Sequence, residues 1–387
     1  MSLYLAVTCF LVSSIFCSLW FGFSFNVLDA AIASCMVIVS FLVGYSLMTR
    51  GVLATKENRF IPRISRLKDD KGFGHTAIVY FTHGEPETYT PQSWINQFRE
   101  FDKQGISFVP WLARPFFLYG LRQRYMRAGK SDHKLMHILR LRDLEQIFRK
   151  MGDESTRFYI SFLDDNPRPD AAVIQALNEG ASKIILSEVF VTVSNHTREG
   201  EELVEALDVP KYGVDLLYTG PLWDSVTLQH MFVDRANIVI GNSQKTKVGV
   251  LLVGHGQPDE WDQEWPTETQ QEQEFRHRIL NQFELNGYSP INLSVAWMEF
   301  KEPKPASVIK TLIANGVEKI LFYSACISAD AIHSVCDVPD LVYAAKIPAN
   351  IQMINMGAWD NHPLTIQAIK EKIDAVNLQG CPSVHEL

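Results

Sequence analysis

The feature that most constrains the fold is a buried strand ending on a histidine followed by glycine, and it occurs twice. Val248-Gly249-Val250-Leu251-Leu252-Val253-Gly254-His255-Gly256 is an apolar run without polar interruption, the pattern of a parallel strand covered on both faces. Thr76-Ala77-Ile78-Val79-Tyr80-Phe81-Thr82-His83-Gly84 has the same form. The chain continues Glu85-Pro86-Glu87 after the first and Gln257-Pro258-Asp259 after the second, so both read His-Gly-x-Pro-acid. Glycine at a strand end lets the backbone turn sharply and leaves room for a ligand. In an open α/β sheet, ligands bind beyond the carboxyl ends of the strands, where His83 and His255 are expected. A single histidine there serves equally well to bond a neighbouring carbonyl; the second copy turns it into architecture.

The correspondence continues in order. Phe158–Phe162 and the turn Asn166-Pro167-Arg168-Pro169 precede a helix with Val173, Ile174 and Leu177 on its apolar face. Leu293–Trp297 and Glu302-Pro303-Lys304-Pro305 precede one with Val308, Ile309 and Leu312. Gly180 and Gly316 close these helices as C-caps. Buried strands follow at Lys183–Val189 and Lys319–Ser324, then His196 and His333 at nearly equal spacing. Finally Leu217–Asp224 is echoed by Ile354–Asp360. Alternating strands and helices predict an α/β chain of two tandem doubly wound lobes with parallel sheets, over 75–240 and 246–387.

The first copy carries an insertion containing Trp111-Leu112-Ala113-Arg114-Pro115-Phe116-Phe117-Leu118-Tyr119 and then Arg122, Arg124, Arg127, Lys130, Lys134, Arg140 and Arg142. Such a basic, aromatic patch suits anionic lipid headgroups. It equally suits a flat aromatic ligand whose carboxylates pair with Arg114 and Arg122. An ordinary solvated helix face is the plainer alternative.

Ahead of the lobes, Leu3–Phe23 and Ala30–Leu47 are each near the about 20 residues that a spanning helix needs. Trp20, Phe21, Phe23 and Phe25 cluster at the break, as an interfacial belt would. Residues 1–50 are therefore expected to form a two-span transmembrane hairpin, and 51–74 a basic linker. Arg50, Lys56, Arg59, Arg63, Arg66 and Lys68 follow the second span, so the positive-inside rule puts the lobes on the cytoplasmic side of the cell membrane. A net charge of −8 excludes nucleic-acid binding driven by phosphate attraction. Of six cysteines, only Cys326, Cys336 and Cys381 lie outside the apolar N-terminus, too few to ligate an ordinary iron–sulfur cluster.

Each lobe thus offers two histidines beyond its strands. Neutral imidazole ligates iron, cobalt, nickel and zinc, and is a base near neutral pH. Asp330, Asp337 and Asp340 lie near His333. The acidic stretch Glu260–Glu274 is expected to be a solvated face.

The strand with Gly-His-Gly, together with His333 four residues before Asp337-Val338-Pro339, resembles the class II tetrapyrrole chelatases, which comprise ferrochelatases and the cobalt- and nickel-inserting sirohydrochlorin enzymes. The resemblance covers nearly all of the chain beyond the hairpin. It implies two similar lobes around a tetrapyrrole cleft, His255 and His333 as the metal pair, and no organic cofactor. A divalent metal, Fe2+ or Co2+, is implied as a substrate, with a histidine or Asp337 accepting the pyrrole protons. His333 departs from the ferrochelatase branch, where glutamate is usual. Tyr89-Thr90 and the aromatic, basic insertion are instead similar to the amino half of ferrochelatases, where that segment forms a lip over the porphyrin and touches lipid. This implies Tyr89, Arg114 and Arg122 as substrate contacts. His83 and His196 become either a second working pair or relics of duplication. The expected activity is membrane-anchored insertion of Fe2+ into protoporphyrin for haem biosynthesis. The alternatives are metal insertion into sirohydrochlorin and a non-catalytic haem- or metal-binding role.

Overall fold

The computed structural model describes residues 27–55, 59, 61–68, 70, 72–103, 105 and 109–379, with 8, 12, 13 and 15 nearer the N-terminus. It divides into two compact units, Met1–Asn58 with Tyr89–Met126, and Arg59–Thr88 with Arg127–Leu387.

In the first unit, α1 (Val27–Leu53) is joined by α2 (Pro91–Lys103), a 3-10 turn over Trp111–Ala113, and α3 (Arg114–Ala128). Ile95, Phe98 and Leu118 form a small core with Val52, Leu53, Trp94 and Phe117 packed on it. The Tyr45 hydroxyl donates to the Leu112 carbonyl at 2.6 Å, and its ring stacks on Phe116 at 5.7 Å. Arg99 donates to the carbonyls of Leu53 and Thr55, which the end of α1 leaves without intrahelical partners. Within α1, Ser34–Leu53 is long and apolar enough to cross a membrane, the one such helix among the described residues. The other expected span, Leu3–Phe23, and the aromatic cluster after it lie outside the described residues, apart from four isolated positions.

The second unit holds both lobes. In the first, β1 (His75–Thr82), β2 (Arg157–Phe162), β3 (Ala181–Glu188) and β4 (Asp215–Tyr218) form a parallel sheet in the order β2-β1-β3-β4. In the second, β5 (Val248–Gly254), β6 (Leu293–Trp297), β7 (Lys319–Ser324) and β8 (Gln352–Gly357) repeat that order as β6-β5-β7-β8, again parallel. Central β1 and β5 are covered on both faces, as their unbroken apolar runs require. The backbone hydrogen bonds beyond the strands also correspond. Asp164 N bonds His83 O where Glu299 N bonds His255 O, and Val189 N bonds Phe81 O where Ala325 N bonds Val253 O.

The helices are α4 (His133–Lys150), α5 (Pro169–Asn178), α6 (Asn195–Glu205) and α7 (Val226–Ile240), then α8 (Asp259–Glu264), α9 (Pro266–Leu285), α10 (Pro305–Ala314), α11 (Val338–Tyr343) and α12 (Pro363–Gln379). Apolar residues of α5 cover the outer face of the first sheet, and those of α10 and α11 the outer face of the second. Helices α4, α7, α9 and α12 fill the space between the sheets in one core common to both lobes. The last helices are exchanged. α7 follows the first sheet yet packs on the second, where the Phe232 carbonyl accepts the Tyr323 hydroxyl at 2.9 Å. α12 follows the second sheet and packs on β3 and α4. Each fully buried apolar side chain in this layer contributes about 1.5–3 kcal/mol, so the two sheets are one folding unit. The lobe limits read from the chain are thus limits of sequence, since each lobe is completed by the other's last helix.

The basic linker is not loose. The helix runs on to Leu53, and residues 61–67, without helix or strand, lie along the first lobe. Arg59 pairs with Asp170 at 2.6 Å, and buried Arg66 holds the carbonyls of Asp70 and Ala181.

Candidate metal centre

His255 stands at the end of β5, and its two glycines are needed for different reasons. A Cβ on Gly254 would lie 2.5 Å from Arg276 Cζ and 2.7 Å from Glu272 Oε1, both on buried side chains. Gly256 has φ +78, and a Cβ there would sit 2.7 Å from the Glu299 carbonyl oxygen. The turn points the amides of His255 and Gly256 at Glu272, whose carboxylate accepts them at 2.5 and 3.3 Å. His255 Nδ1 lies 2.7 Å from the Gly256 carbonyl oxygen, which can only accept, so Nδ1 carries the proton. The nitrogen presented to a metal is then Nε2.

His333 opens a π-helical turn, His333–Asp337, that leads into α11. The turn brings Asp337 beneath the ring, with Oδ2 2.7 Å from Nδ1. This carboxylate–histidine arrangement orients a ligating imidazole and raises its basicity. The rings of His255 and His333 lie 5.6 Å apart at 85°. With metal–nitrogen bonds of about 2.0–2.1 Å, two imidazoles sharing an ion have centroids roughly 5–6 Å apart, so the pair is at the right separation. Burial lowers the pKa of His333, but the hydrogen bond and charge of Asp337, with the charges of Glu299 and Glu85, outweigh it and leave the imidazole above its ordinary value.

The first lobe carries the corresponding pair. His83 Nδ1 is 3.0 Å from the Gly84 carbonyl and 3.4 Å from Asp164, the counterpart of Glu299. His196, in the first turn of α6, lies 4.8 Å from His83 ring to ring at 74°. Burial, and then the charges of His83 and His255, hold His196 well below the usual imidazole range. The two pairs sense each other electrostatically, His196 through the charge of His255. Glu85 accepts the Ile332 amide at 3.0 Å, and burial raises its pKa against the pull of Ser131, His333 and His83. Buried His133 and His137 lie 4.5 Å apart ring to ring, tilted at 58°, and burial takes His133 down to about 3. Among the described residues no three His, Cys, Asp or Glu side chains converge as a closed cage. Two-donor sites suit a metal that must leave again.

Of the predicted site residues, the lobes bring His83 to His196, and His255 to His333 with Asp337. Tyr89, Arg114 and Arg122 belong to the helical unit. Arg114 is already committed: it is 5% exposed, bonds Asp102 at 2.7 Å and the Val109 carbonyl at 3.1 Å, and covers the Phe98 ring. Its guanidinium therefore ties together the helical core. Arg122 is exposed, and Tyr89 is half-buried with its ring edge-on to Tyr125 at 6.0 Å. Asp330 is structural, accepting the Ala358 amide at 2.9 Å and the Ser334 hydroxyl at 3.0 Å.

Sequence reasoning missed Glu85, Glu272 and Arg276. Glu272 falls within the stretch expected to be a solvated acidic face, yet it is 3% exposed. The signal was present, because Glu272 and Arg276 share a helical stripe with Phe275, Ile279 and Phe283, all buried.

No protein-family model matches the chain, and no curated protein matches it. Solved structures do. SirB from Bacillus subtilis with Fe3+ is 16% identical with a TM-score of 0.51, over 79% of this chain and 98% of that one. The sirohydrochlorin chelatase SirB from Bacillus subtilis subspecies spizizenii, in complex with cobalt, is 12% identical with a TM-score of 0.46, over 79% and 97%. A multi-domain protein from Deinococcus radiodurans with structural similarity to chelatases is 11% identical with a TM-score of 0.46, over 80% and 56%. The chain has the two-lobed α/β fold of SirB.

Proposed function

We propose that this chain is a chelatase that inserts a divalent metal ion into a tetrapyrrole. The carrying observation is the His255–His333 pair, 5.6 Å apart with both Nδ1 atoms engaged by fixed acceptors. Metal and macrocycle are both substrates. The ion is held by the two Nε2 atoms, passes to the four pyrrole nitrogens, and two protons leave the ring. Neutral Nδ1–H imidazoles bind it without a permanent cage, and the carboxylates of Asp337 and Glu299 beside His333 favour a proton there once the metal has moved on.

Iron and a protoporphyrin-like ring are the first choice of substrates. An octacarboxylate such as sirohydrochlorin calls for many uncommitted cations. Here Arg127 is paired with Asp340, Lys130 with Asp132, Lys134 with Asp165, and Arg140 with backbone carbonyls of the second lobe. The apolar α1 supports tethering at a membrane, into which protoporphyrin partitions, with the lobes on the cytoplasmic side. Sirohydrochlorin is the second reading, favoured by the pairing of two histidines and by the SirB likeness. The test offers Fe2+ or Co2+ with each macrocycle to the full chain and follows metallation by absorption. Turnover of protoporphyrin is expected; turnover of sirohydrochlorin alone would reverse the preference, and no turnover with any pairing would refute the enzyme reading.

A further inference from the structure

The two His-Gly-x-Pro turns differ in what the variable residue does. In the second lobe it is Gln257, 2% exposed, whose amide donates to Asp262 at 2.7 Å and to the Trp265 carbonyl at 2.9 Å. That side chain stays within its own lobe. In the first lobe it is Glu85, which reaches across to the second. Its two carboxylate oxygens lie 3.0 and 3.3 Å from the amide nitrogen of Ile332, the residue immediately before His333. The amide sits at the entrance to the π-helical turn that carries His333 and Asp337, so it is a backbone donor without an intrahelical acceptor. An anionic acceptor at that position binds such an amide tightly.

The residues on either side of Glu85 are fixed too. His83 precedes it by two residues, and the Ser131 amide donates to the Glu87 carbonyl at 2.9 Å. A displacement of the first lobe's turn is therefore felt at the base of His333. His196 is supported differently: four residues beyond it stands Gly200, where the second lobe has Asp337, its turn is capped by Ser194 and Thr197, and the side chain that reaches it from the second lobe is a neutral amide, Gln271, accepting the Val193 amide at 2.7 Å. Duplication has thus been followed by divergence: the turn before His333 receives a carboxylate from the opposite lobe, and the turn before His196 an amide.

We infer that Glu85 is a positioning residue that latches the first lobe onto the Ile332 amide and so sets His333 at its metal-binding distance from His255. The latch rests on the proposed metal site but not on the identity of the macrocycle. Because the bond uses a carboxylate oxygen only as an acceptor, glutamine can replace it while alanine cannot.

The test compares the full chain with Glu85→Ala and Glu85→Gln, using Co2+ alone as the probe. Two quantities are read: amide hydrogen exchange of the segment containing Ile332, and Co2+ affinity from the visible spectrum. In Glu85→Ala, exchange at Ile332 should accelerate and Co2+ affinity fall about 10-fold, as supports of metal ligands commonly do. Glu85→Gln should keep the protection and bind Co2+ within about threefold of the parent, because it retains the acceptor. Unchanged exchange and affinity in Glu85→Ala would overturn the latch, as would Glu85→Gln failing as badly as Glu85→Ala. If the parent binds Co2+ but metallates no tetrapyrrole, the chelatase reading falls, while the latch is still decided by the two variants.

Discussion

Replacing Asp337 by asparagine should separate the electrostatic work at the metal centre from its geometry. His333 Nδ1 and Asp337 Oδ2 are 2.7 Å apart, with side chains 21% and 12% exposed, so solvent screens the pair only partly. A hydrogen bond between charged groups in such a place contributes about 1.5–3 kcal/mol. The folded protein holds the pKa of His333 above its ordinary value, against burial, through Asp337 first and then Glu299 and Glu85. Stability linked to that proton is fully present below the unfolded imidazole pKa of about 6.5, and is lost as pH rises through the higher folded value. Asp337→Asn should therefore be destabilised by about 1.5–3 kcal/mol in mildly acidic buffer, and the gap should shrink as the pH becomes alkaline. Metal competes for the same imidazole. Co2+ uptake should accordingly begin at lower pH in the variant than in the parent, while its plateau affinity drops about 10-fold for want of an orienting carboxylate. Urea unfolding and Co2+ titration across the pH range read both quantities. A stability gap that widens with pH, or an unmoved pH midpoint for Co2+, would refute the reasoning.

Substitutions at four further positions address the scaffold and the helical unit. Gly256→Ala forces a side chain onto a φ of +78 and within 2.7 Å of the Glu299 carbonyl, and should cost about 1–3 kcal/mol in thermal unfolding while abolishing metal uptake. Glu272→Ala strips the acceptor from the His255 and Gly256 amides and should slow metallation at least about 10-fold. Glu272→Gln should recover much of the rate, since an amide oxygen still accepts. Arg114→Ala should lower the melting temperature without altering KM for the macrocycle, because its partners are Asp102, Val109 and Phe98. Arg122→Ala should do the reverse, and steady-state kinetics with calorimetry distinguish the two.

Much of this was legible in the chain because parallel strands and their turns leave local marks. The apolar runs at Ala77–Phe81 and Val248–Val253 became the central strands, and the histidine after each stands at a sheet's carboxyl edge. The exchange of α7 and α12 left no mark, because an amphipathic helix records that it is buried and not against which sheet. Glu85 was passed over as the variable position of a motif, since its partner lies 247 residues away. Glu272 was read as solvated because charge in a helix was weighed above its place on the apolar stripe. Arg114 stands beside aromatic residues, which suggests a ligand contact, and the chain alone does not mark that Asp102, 12 residues earlier, pairs with it. The first apolar segment, Leu3–Phe23, lies outside the described residues.

The central claim is that His255 and His333 deliver one metal ion to a tetrapyrrole. Its most direct test is the single-turnover rate of metal insertion by the full chain, followed by absorption, for the parent, His255→Ala and His333→Ala. Each substitution removes one of the two proposed donors and should slow insertion by about 100-fold or more, the upper end of what even a supporting residue costs. Insertion at the parental rate in either variant would contradict the account.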